Sequence, residues 1–366
     1  MVYKLCDLAK IKYGKNQSKV VDINGKYPIY GTGGLMGYAK EFLYDKPSVL
    51  IGRKGTIDKV RFIDSPFWTV DTLFYTIINE NIVYPQYFYY LLKNVDLTKF
   101  NEGTTIPSLR TETLNRIELE VPNKRVQSKI ISLIGGIDEK IRLNNDINDN
   151  LYEQMYSIYK SWFELYEQNN GVKPDSWIRV SIYEITNVIY GAPFSSKLFN
   201  EEKNGRPIIR IRDLKSQNFN TYTPEIHPKG YLLQKGDIVV GMDGEFRPYI
   251  WGNEEAWLNQ RVCVFDNKRP RGKAFLFFTI KPLLKFIEDT EAATTVIHIG
   301  KNDFDKFNFI MPDEKTMNEY DEITFPMYDQ ILNNMLENIR LIKLRDSLLP
   351  KLMSGEIDVS NIKLDL

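Results

Sequence analysis

The sequence is poor in the residues on which metal and redox chemistry lean. Two cysteines, Cys6 and Cys263, and two histidines, His227 and His298, lie scattered through 366 residues. That spacing excludes a disulfide framework and a cysteine–histidine zinc cluster, so no metal site is expected. No Pro-Pro pair occurs, so the Asn/Asp-Pro-Pro-aromatic loop of an adenine methyltransferase is missing. None of the four Gly-Lys pairs, at 14–15, 25–26, 272–273 and 300–301, completes G-x-x-x-x-G-K-[ST], which excludes a phosphate-binding loop of that type. No apolar run approaches the ~18–20 residues needed to span a bilayer. The start, MVYKLCDLAK, has no signal-peptide stretch. A soluble, cytoplasmic chain without a membrane partner is the expectation.

Net charge is also absent overall, yet it is unevenly placed. Residues 1–122 and 169–312 each carry +3, whereas 123–168 and 313–366 carry −1 and −5. Two mildly basic blocks therefore alternate with two acidic ones, which permits a nucleic-acid partner without demanding one. Hydrophobic residues at 43% suffice for folded cores, and the length suggests two or three domains.

What the chain has in place of motifs is a repeat. VLIGRKGTIDKVRFIDSPFWTVDTLF (49–74) falls without a gap on IVVGMDGEFRPYIWGNEEAWLNQRVC (238–263), aligning Gly52 with Gly241, Gly55 with Gly244 and Trp68 with Trp257. LCDLAKIKYG (5–14) matches IYEITNVIYG (182–191), and GTTIPSLRTETLNRIELEVP (103–122) matches ATTVIHIGKNDFDKFNFIMP (293–312). Identity is weak, but the glycines, the tryptophan and the apolar spacing recur in order. The second copy carries about a dozen extra residues near its front. The chain is a duplication.

Within each copy, short β-rich runs such as SVLIG, DIVVG and RVCVF are broken by Gly, Pro and Asn turns, as in a mixed α/β domain. After Pro122 and Pro312 the period changes to that of a helix. Apolar residues at steps of four and three from Ile130 pass through Ile137, Ile141, Leu151, Met155, Ile158 and Trp162, interrupted by Asn144 and Asn148. The second run holds Leu332, Met335, Ile339, Ile342 and Leu349, with Asp346 breaking it. Such stripes form a coiled-coil seam, and buried asparagines fix its register. Gly135-Gly136 predicts a kink or a late helix start, and Pro350 a bend or an end. The expected fold class is α+β: two pseudo-symmetric mixed α/β domains, 1–122 and 169–312, joined by two long helices, 123–168 and 313–366 with its tail, that form an antiparallel coiled coil.

The order domain, helix, domain, helix resembles the specificity subunit of type I restriction–modification systems. The resemblance rests on LCDLAKIKYG, YPIYGTGGLMGY, the GTTIPSL-to-VP segment with its second copy, and LRDSLLPKLMSGEI at 344–357. The sequence departs from the pattern before the helices: PNKRVQ keeps Gln127 of a usual Pro-Pro and Gln, and PDEKTMNEY has neither. The resemblance implies two target-recognition domains, each reading one half of a split duplex DNA sequence. It further implies helices that set the spacing and dock adenine methyltransferase (modification) subunits. Those subunits would carry S-adenosylmethionine, and a separate motor-nuclease (restriction) subunit would use ATP and magnesium. This chain would hold no cofactor and no catalytic residue.

DNA contact calls for Lys, Arg and hydroxyls at phosphates, and for donor–acceptor forks at bases. The first copy offers Arg53, Lys54 and Thr56 in IGRKGT, and Thr104, Thr105, Ser108 and Arg110 in the repeated segment. The second offers Arg210, Arg212, Lys215 and Gln217, then Asp243, Arg247 and Arg261, then Thr294, Thr295, His298 and Lys301. Each alone also reads as surface charge; the argument is their clustering at equivalent places in the repeat. Arg210 and Arg212, two apart on an expected strand, would share one face. Two other functions compete. One is a duplicated protein-interaction scaffold without DNA binding. The other is a metal-dependent nuclease drawn from Pro174, Asp175, Glu201 and Lys203, which needs carboxylates converging on a metal.

Overall fold

SVLIG and DIVVG have no polar alternate residue, and both become strands with every residue buried. Each is the inner strand of a sheet, and the rest of each domain is built around it. The computed structural model describes residues 1–291 and 298–360. These fall into two compact units, Met1–Lys140 with Ile342–Leu366 and Ile141–Leu341.

The first unit holds nine strands: β1 (Val2–Lys4), β2 (Ala9–Tyr13), β3 (Tyr27–Gly31), β4 (Gly34–Ala39), β5 (Ser48–Gly52), β6 (Val60–Ile63), β7 (Trp68–Thr69), β8 (Leu73–Ile78) and β9 (Glu118–Glu120). They form three sheets in the orders β1-β9, β2-β8-β5-β6 and β4-β3-β7. The second unit also holds nine: β10 (Ile178–Ser181), β11 (Thr186–Tyr190), β12 (Arg206–Ile209), β13 (Tyr222–Thr223), β14 (Ile238–Gly241), β15 (Pro248–Ile250), β16 (Trp257–Leu258), β17 (Val262–Asn267) and β18 (Asn308–Met311). Their orders are β10-β18, β11-β17-β14-β15 and β13-β12-β16, which is the first set strand for strand. The parallel strand pairing recurs too, β3 with β7 and β12 with β16. The duplication read from the sequence is thus a duplication of topology.

The matched glycines have a steric cause. A Cβ on Gly14 would sit 2.0 Å from the Val70 carbonyl oxygen, and one on Gly191 2.0 Å from that of Asn259. Both copies need a bare backbone where β2 or β11 passes the turn before β8 or β17. Gly55 and Gly244 have φ of 84° and 80°, a region that costs any other L-residue strain.

Helices occupy the connections, two of them at places matched between the copies, while the first unit's opening helix corresponds to a 3-10 turn at Ile182–Glu184 in the second. In the first unit the helices are α1 (Leu5–Leu8), α2 (Pro85–Lys93) and α3 (Thr111–Asn115), followed by the long α4 (Lys124–Tyr159). In the second they are α5 (Ile211–Leu214), α6 (Lys273–Glu291) and α7 (Lys301–Phe304), followed by α8 (Glu314–Met353). The extra residues of the second copy fall between β12 and β14, where α5 lies.

Each long helix begins two residues after the matched proline, with a capping residue between. Asn123 Oδ1 accepts from the Val126 amide at 3.0 Å, and Asp313 Oδ1 from the Thr316 amide at 2.9 Å, so both ends are capped. Gln127 is fully buried and ties α4 to its domain through Ile82 O, Pro122 O and the Tyr84 amide. Met317, buried in the second core, stands at the matching place, so packing there replaces hydrogen bonds.

Three local expectations need correction. The Gly135-Gly136 pair does not delay α4, because the helix runs from Lys124. Gly135 instead admits α2, since a Cβ there would stand 3.1 Å from Gln86 Nε2. Pro350 does not end α8, which continues to Met353 with Leu349 and Leu352 buried in the first core. Trp162 lies beyond α4, in a π-helical turn over Lys160–Glu164.

The long helices run antiparallel, and their middle is polar. In the second unit Asn334 Nδ2 donates to Asn148 Oδ1 (2.8 Å), Asn144 Nδ2 to Asn338 Oδ1 (2.9 Å), and Asn338 Nδ2 to Asn145 Oδ1 (2.9 Å). In the first unit Arg345 Nη1 donates to Asp138 Oδ1 at 2.9 Å. Ile342, placed in the seam from the sequence, is solvent-exposed, because Arg345 occupies the inward position of that turn. Ile137, Ile141 and Ile339 are half-buried. Leu151, Met155, Ile158, Trp162, Leu332 and Met335 pack in the second unit's core, where Phe275 of α6 meets Tyr320 of α8 and Phe278 meets Tyr159 of α4. Leu349 joins Ile130 and Ile134 in the first core.

Replacing Asn148 alone by Leu strands the Asn334 amide and is expected to cost about 1–3 kcal/mol in urea unfolding. The double change Asn148→Leu, Asn334→Leu is expected to recover most of that loss, giving a positive coupling in a double-mutant cycle.

Candidate nucleic-acid interface

In the first unit the residues of IGRKGT meet the repeated segment edge to edge. The Gly55 amide donates to Pro107 O (2.9 Å), the Leu109 amide to Arg53 O (2.9 Å), and Lys54 bridges Ser108 in antiparallel register. Asn101 braces the segment from inside, its Oδ1 accepting from the Gly103 and Ser108 amides at 2.9 Å each. Arg110 pairs with Glu102 at 3.1 Å. The outcome is a stiff ledge with Lys54, Thr104 and Thr105 exposed and Thr56 and Ser108 half-buried. Arg53 points elsewhere: its guanidinium lies 5.1 Å from the Tyr13 ring centre and donates to Asp71 O at 2.8 Å.

The second unit builds the same ledge from other side chains. Asp243 bridges His298 in antiparallel register, and the Ile299 amide donates to Met242 O at 2.9 Å. His298 Nδ1 lies 2.7 Å from Asp243 Oδ1, and Arg261 Nη1 lies 2.9 Å from the imidazole. Arg247 is exposed beside Glu245 at 3.4 Å. Lys301 pairs with Asp305 at 2.9 Å, which with the Tyr183 hydroxyl holds that carboxyl below its ordinary range. Thr294 and Thr295 lie outside the described residues.

The cluster at 210–217 is not what the sequence suggested. Arg210 and Arg212 do not share a strand face, because β12 ends at Ile209 and Arg210 opens α5. The chain turns there because Asp213 Oδ2 accepts from the Arg210 amide at 3.0 Å. The Arg210 side chain is turned inward to Asp213 and the Thr221 hydroxyl. Gln217 is committed as well: Nε2 donates to Ile250 O (2.6 Å) and Oε1 accepts from the Gly252 amide (3.0 Å). Arg212 and Lys215 stay exposed.

Sequence reasoning passed over Lys59 and Arg61. With Thr32, Gly33, Thr56 and Lys93 they line a cavity of about 500 Å³ in the first unit, next to the ledge. Arg61 lies 5.5 Å from the Tyr30 ring centre and against the turn that joins β3 to β4. The signal was GTGG at 31–34, which reads as a turn and is one; nothing local in sequence shows that β6 delivers a cation beside it. Among the described residues no group of three His, Cys, Asp or Glu side chains is placed to hold a metal ion. No helix among them is long and apolar enough to cross a membrane.

Arg210→Ala is expected to lower stability by about 1–3 kcal/mol, since it removes the partly buried arginine that joins Asp213 to the Thr221 hydroxyl and leaves that carboxylate only the exposed Arg212, at 3.8 Å, as a charged partner. Arg212→Ala should stay within about 0.5 kcal/mol. Denaturant unfolding of both variants distinguishes the anchored arginine from the exposed one, whose pairing with Asp213 at 3.8 Å is solvent-facing.

Comparison with known proteins adds to this geometry. Residues 1–153 and 174–340 match the family described as type I restriction modification DNA specificity domain. A segment of 141 residues, 37% of this chain, is 40% identical to the type I restriction enzyme EcoBI specificity subunit of Escherichia coli, and spans 30% of that relative's length. Over 351 residues, 87% of this chain and 80% of the relative, identity to the MjaIX specificity subunit of Methanocaldococcus jannaschii is 24%. The crystal structure of the type I restriction-modification system S subunit from M. genitalium superposes with a TM-score of 0.57 at 18% identity, covering 96% of this chain and 95% of that one.

Proposed function

The chain belongs to the type I restriction modification DNA specificity family, and from that premise we propose that it reads duplex DNA at two separate half-sites, one per unit. The observation that carries this reading is the ledge built twice on one strand order, with different side chains on it: Lys54 and Ser108 in one copy, Asp243 and His298 in the other. A shared backbone supplies the same grip on a groove. Divergent side chains give each grip its own sequence preference, since bases are told apart by the donors and acceptors presented to them.

The spacing between half-sites is assigned to α4 and α8. Helices of 36 and 40 residues are about 54 and 60 Å long, enough to span more than one ~34 Å turn of duplex. A helix pair keeps such a distance, whereas a flexible linker would blur it. Docking of modification subunits is assigned to the outer faces of these helices, where Leu143 and Ile147 stand exposed one turn apart. Methyl transfer from S-adenosylmethionine would then belong to those subunits, and ATP- and magnesium-dependent cleavage to a motor-nuclease subunit. This chain's part is to bind and to position.

Footprinting of the chain assembled with its modification subunits is expected to give two protected segments separated by a fixed unread gap. One unbroken site, or none, would overturn the proposal, and cutting by this chain alone with magnesium would favour a nuclease. Lys54→Ala should flatten the salt dependence of duplex binding by about one unit of slope. Arg53→Ala should act on stability more than on slope, because Arg53 is spent on Tyr13 and Asp71.

A further inference from the structure

One arginine in the second unit is held in a backbone conformation that arginine does not favour. Arg261 has φ of 69°, in the left-handed region that suits glycine or asparagine. Its place in the fold does not demand this. The matching residue of the first unit is Thr72, since the Met242 amide donates to Arg261 O (2.8 Å) as the Arg53 amide does to Thr72 O (2.9 Å). Thr72 is not among the positive-φ residues. Strain at one copy and not at the other points to something the second copy does with the side chain.

That side chain is positioned from one side only. His298 Nδ1 lies 2.7 Å from Asp243 Oδ1 and 3.0 Å from Met242 O, and Arg261 Nη1 lies 2.9 Å from both ring nitrogens, so the guanidinium rests by that one nitrogen against the imidazole. Asp243 Oδ1 stands a further 3.7 Å from the same Nη1. Among the described residues, Nε and Nη2 of Arg261 have no partner, and the side chain remains about half exposed. A guanidinium fixed through Nη1 still presents two parallel N–H donors on its Nε–Nη2 edge. Guanine places two acceptors, O6 and N7, side by side in the major groove, and no other base edge there offers that pair.

We propose that Arg261 is the base-reading residue of the second unit and that it selects a guanine. His298 and Asp243 act as positioning residues that hold its fork. This rests on the two-half-site reading and deepens it. The first unit has Thr72 at the matching place and Lys54 and Ser108 on the ledge, so it selects its letters by other means.

The test uses the full chain assembled with its modification subunits, and reads the methylated sites in a randomised duplex library by sequencing. For the wild type, one half-site is expected to hold a required guanine assigned to this unit. Arg261→Gln and Arg261→Lys should each lose about 10-fold or more of the preference for that guanine, with the other half-site unchanged. Lysine keeps the charge but not the fork, so a loss in both variants marks base reading. A uniform weakening at all sequences, with the letters intact, would make Arg261 a phosphate contact and overturn the proposal. Arg261→Gly removes the strain, so its Tm should be equal or higher while the guanine preference falls. A lower Tm with preference retained would mark a structural role and overturn it too. His298→Gln, which can still accept from Nη1 and donate to Asp243, should keep the preference that His298→Ala weakens. A wild-type complex with no two-part site would overturn the parent reading as well. A two-part site unmoved by every Arg261 variant overturns this proposal alone.

Discussion

The amide pairs between Asn144 and Asn338 and between Asn148 and Asn334 fix the register of the two long helices, and the remaining architecture depends on that register. Sliding one helix by a heptad would set Asn144 opposite Ile331 and Asn148 opposite Met327. Four side-chain amides would then face apolar groups with no water to satisfy them, a cost that an all-apolar seam would not impose. The same helices supply both cores. α4 gives Ile130 and Ile134 to the first and Met155 and Tyr159 to the second; α8 gives Met317 and Tyr320 to the second and Leu349 and Leu352 to the first. A register error would therefore mismatch four sets of buried side chains.

Charge reinforces the attachment. Arg269, from the turn after β17, donates to Glu314 at 3.0 Å, to Asn318 at 2.8 Å and to Asp321 at 3.0 Å, which fastens the first turns of α8 to its domain. The first unit solves the same problem through buried Gln127 and its two carbonyl partners, with Lys124 donating to Glu80 O. Two copies of one fold have thus kept the junction and changed the chemistry that closes it.

A similar division runs through the proposed DNA-reading ledges. Their backbone bonds recur from copy to copy because they belong to the topology: a strand end, a glycine with positive φ, and a crossing segment. Their side chains do not recur. A duplicated scaffold that holds its loops by main-chain bonds leaves the side chains free to diverge, which suits the proposed reading of two different half-sites. The acidic balance accompanies the helices, and the two domains keep a small positive balance in a chain that is neutral overall.

How much of this was legible beforehand follows from the range of the forces involved. The duplication, the change from strand period to helix period after Pro122 and Pro312, and the asparagine interruptions were visible in the sequence because each is a local pattern of side-chain polarity. The meeting of IGRKGT with TTIPSLR was not, for it depends on hydrogen bonds between backbones some fifty residues apart. Nor was the fate of Arg210 and Gln217, whose donors are consumed by partners brought in by folding. Pro350 and the Gly135-Gly136 pair misled because propensity is a weak local term, and burial of Leu349 against the first core or the approach of α2 outweighs it. The sequence by itself determined that one module is built twice and stiffened by helices. Only the tertiary structure decided which cations remain free, because that depends on what each guanidinium or ammonium meets after the chain has closed around it.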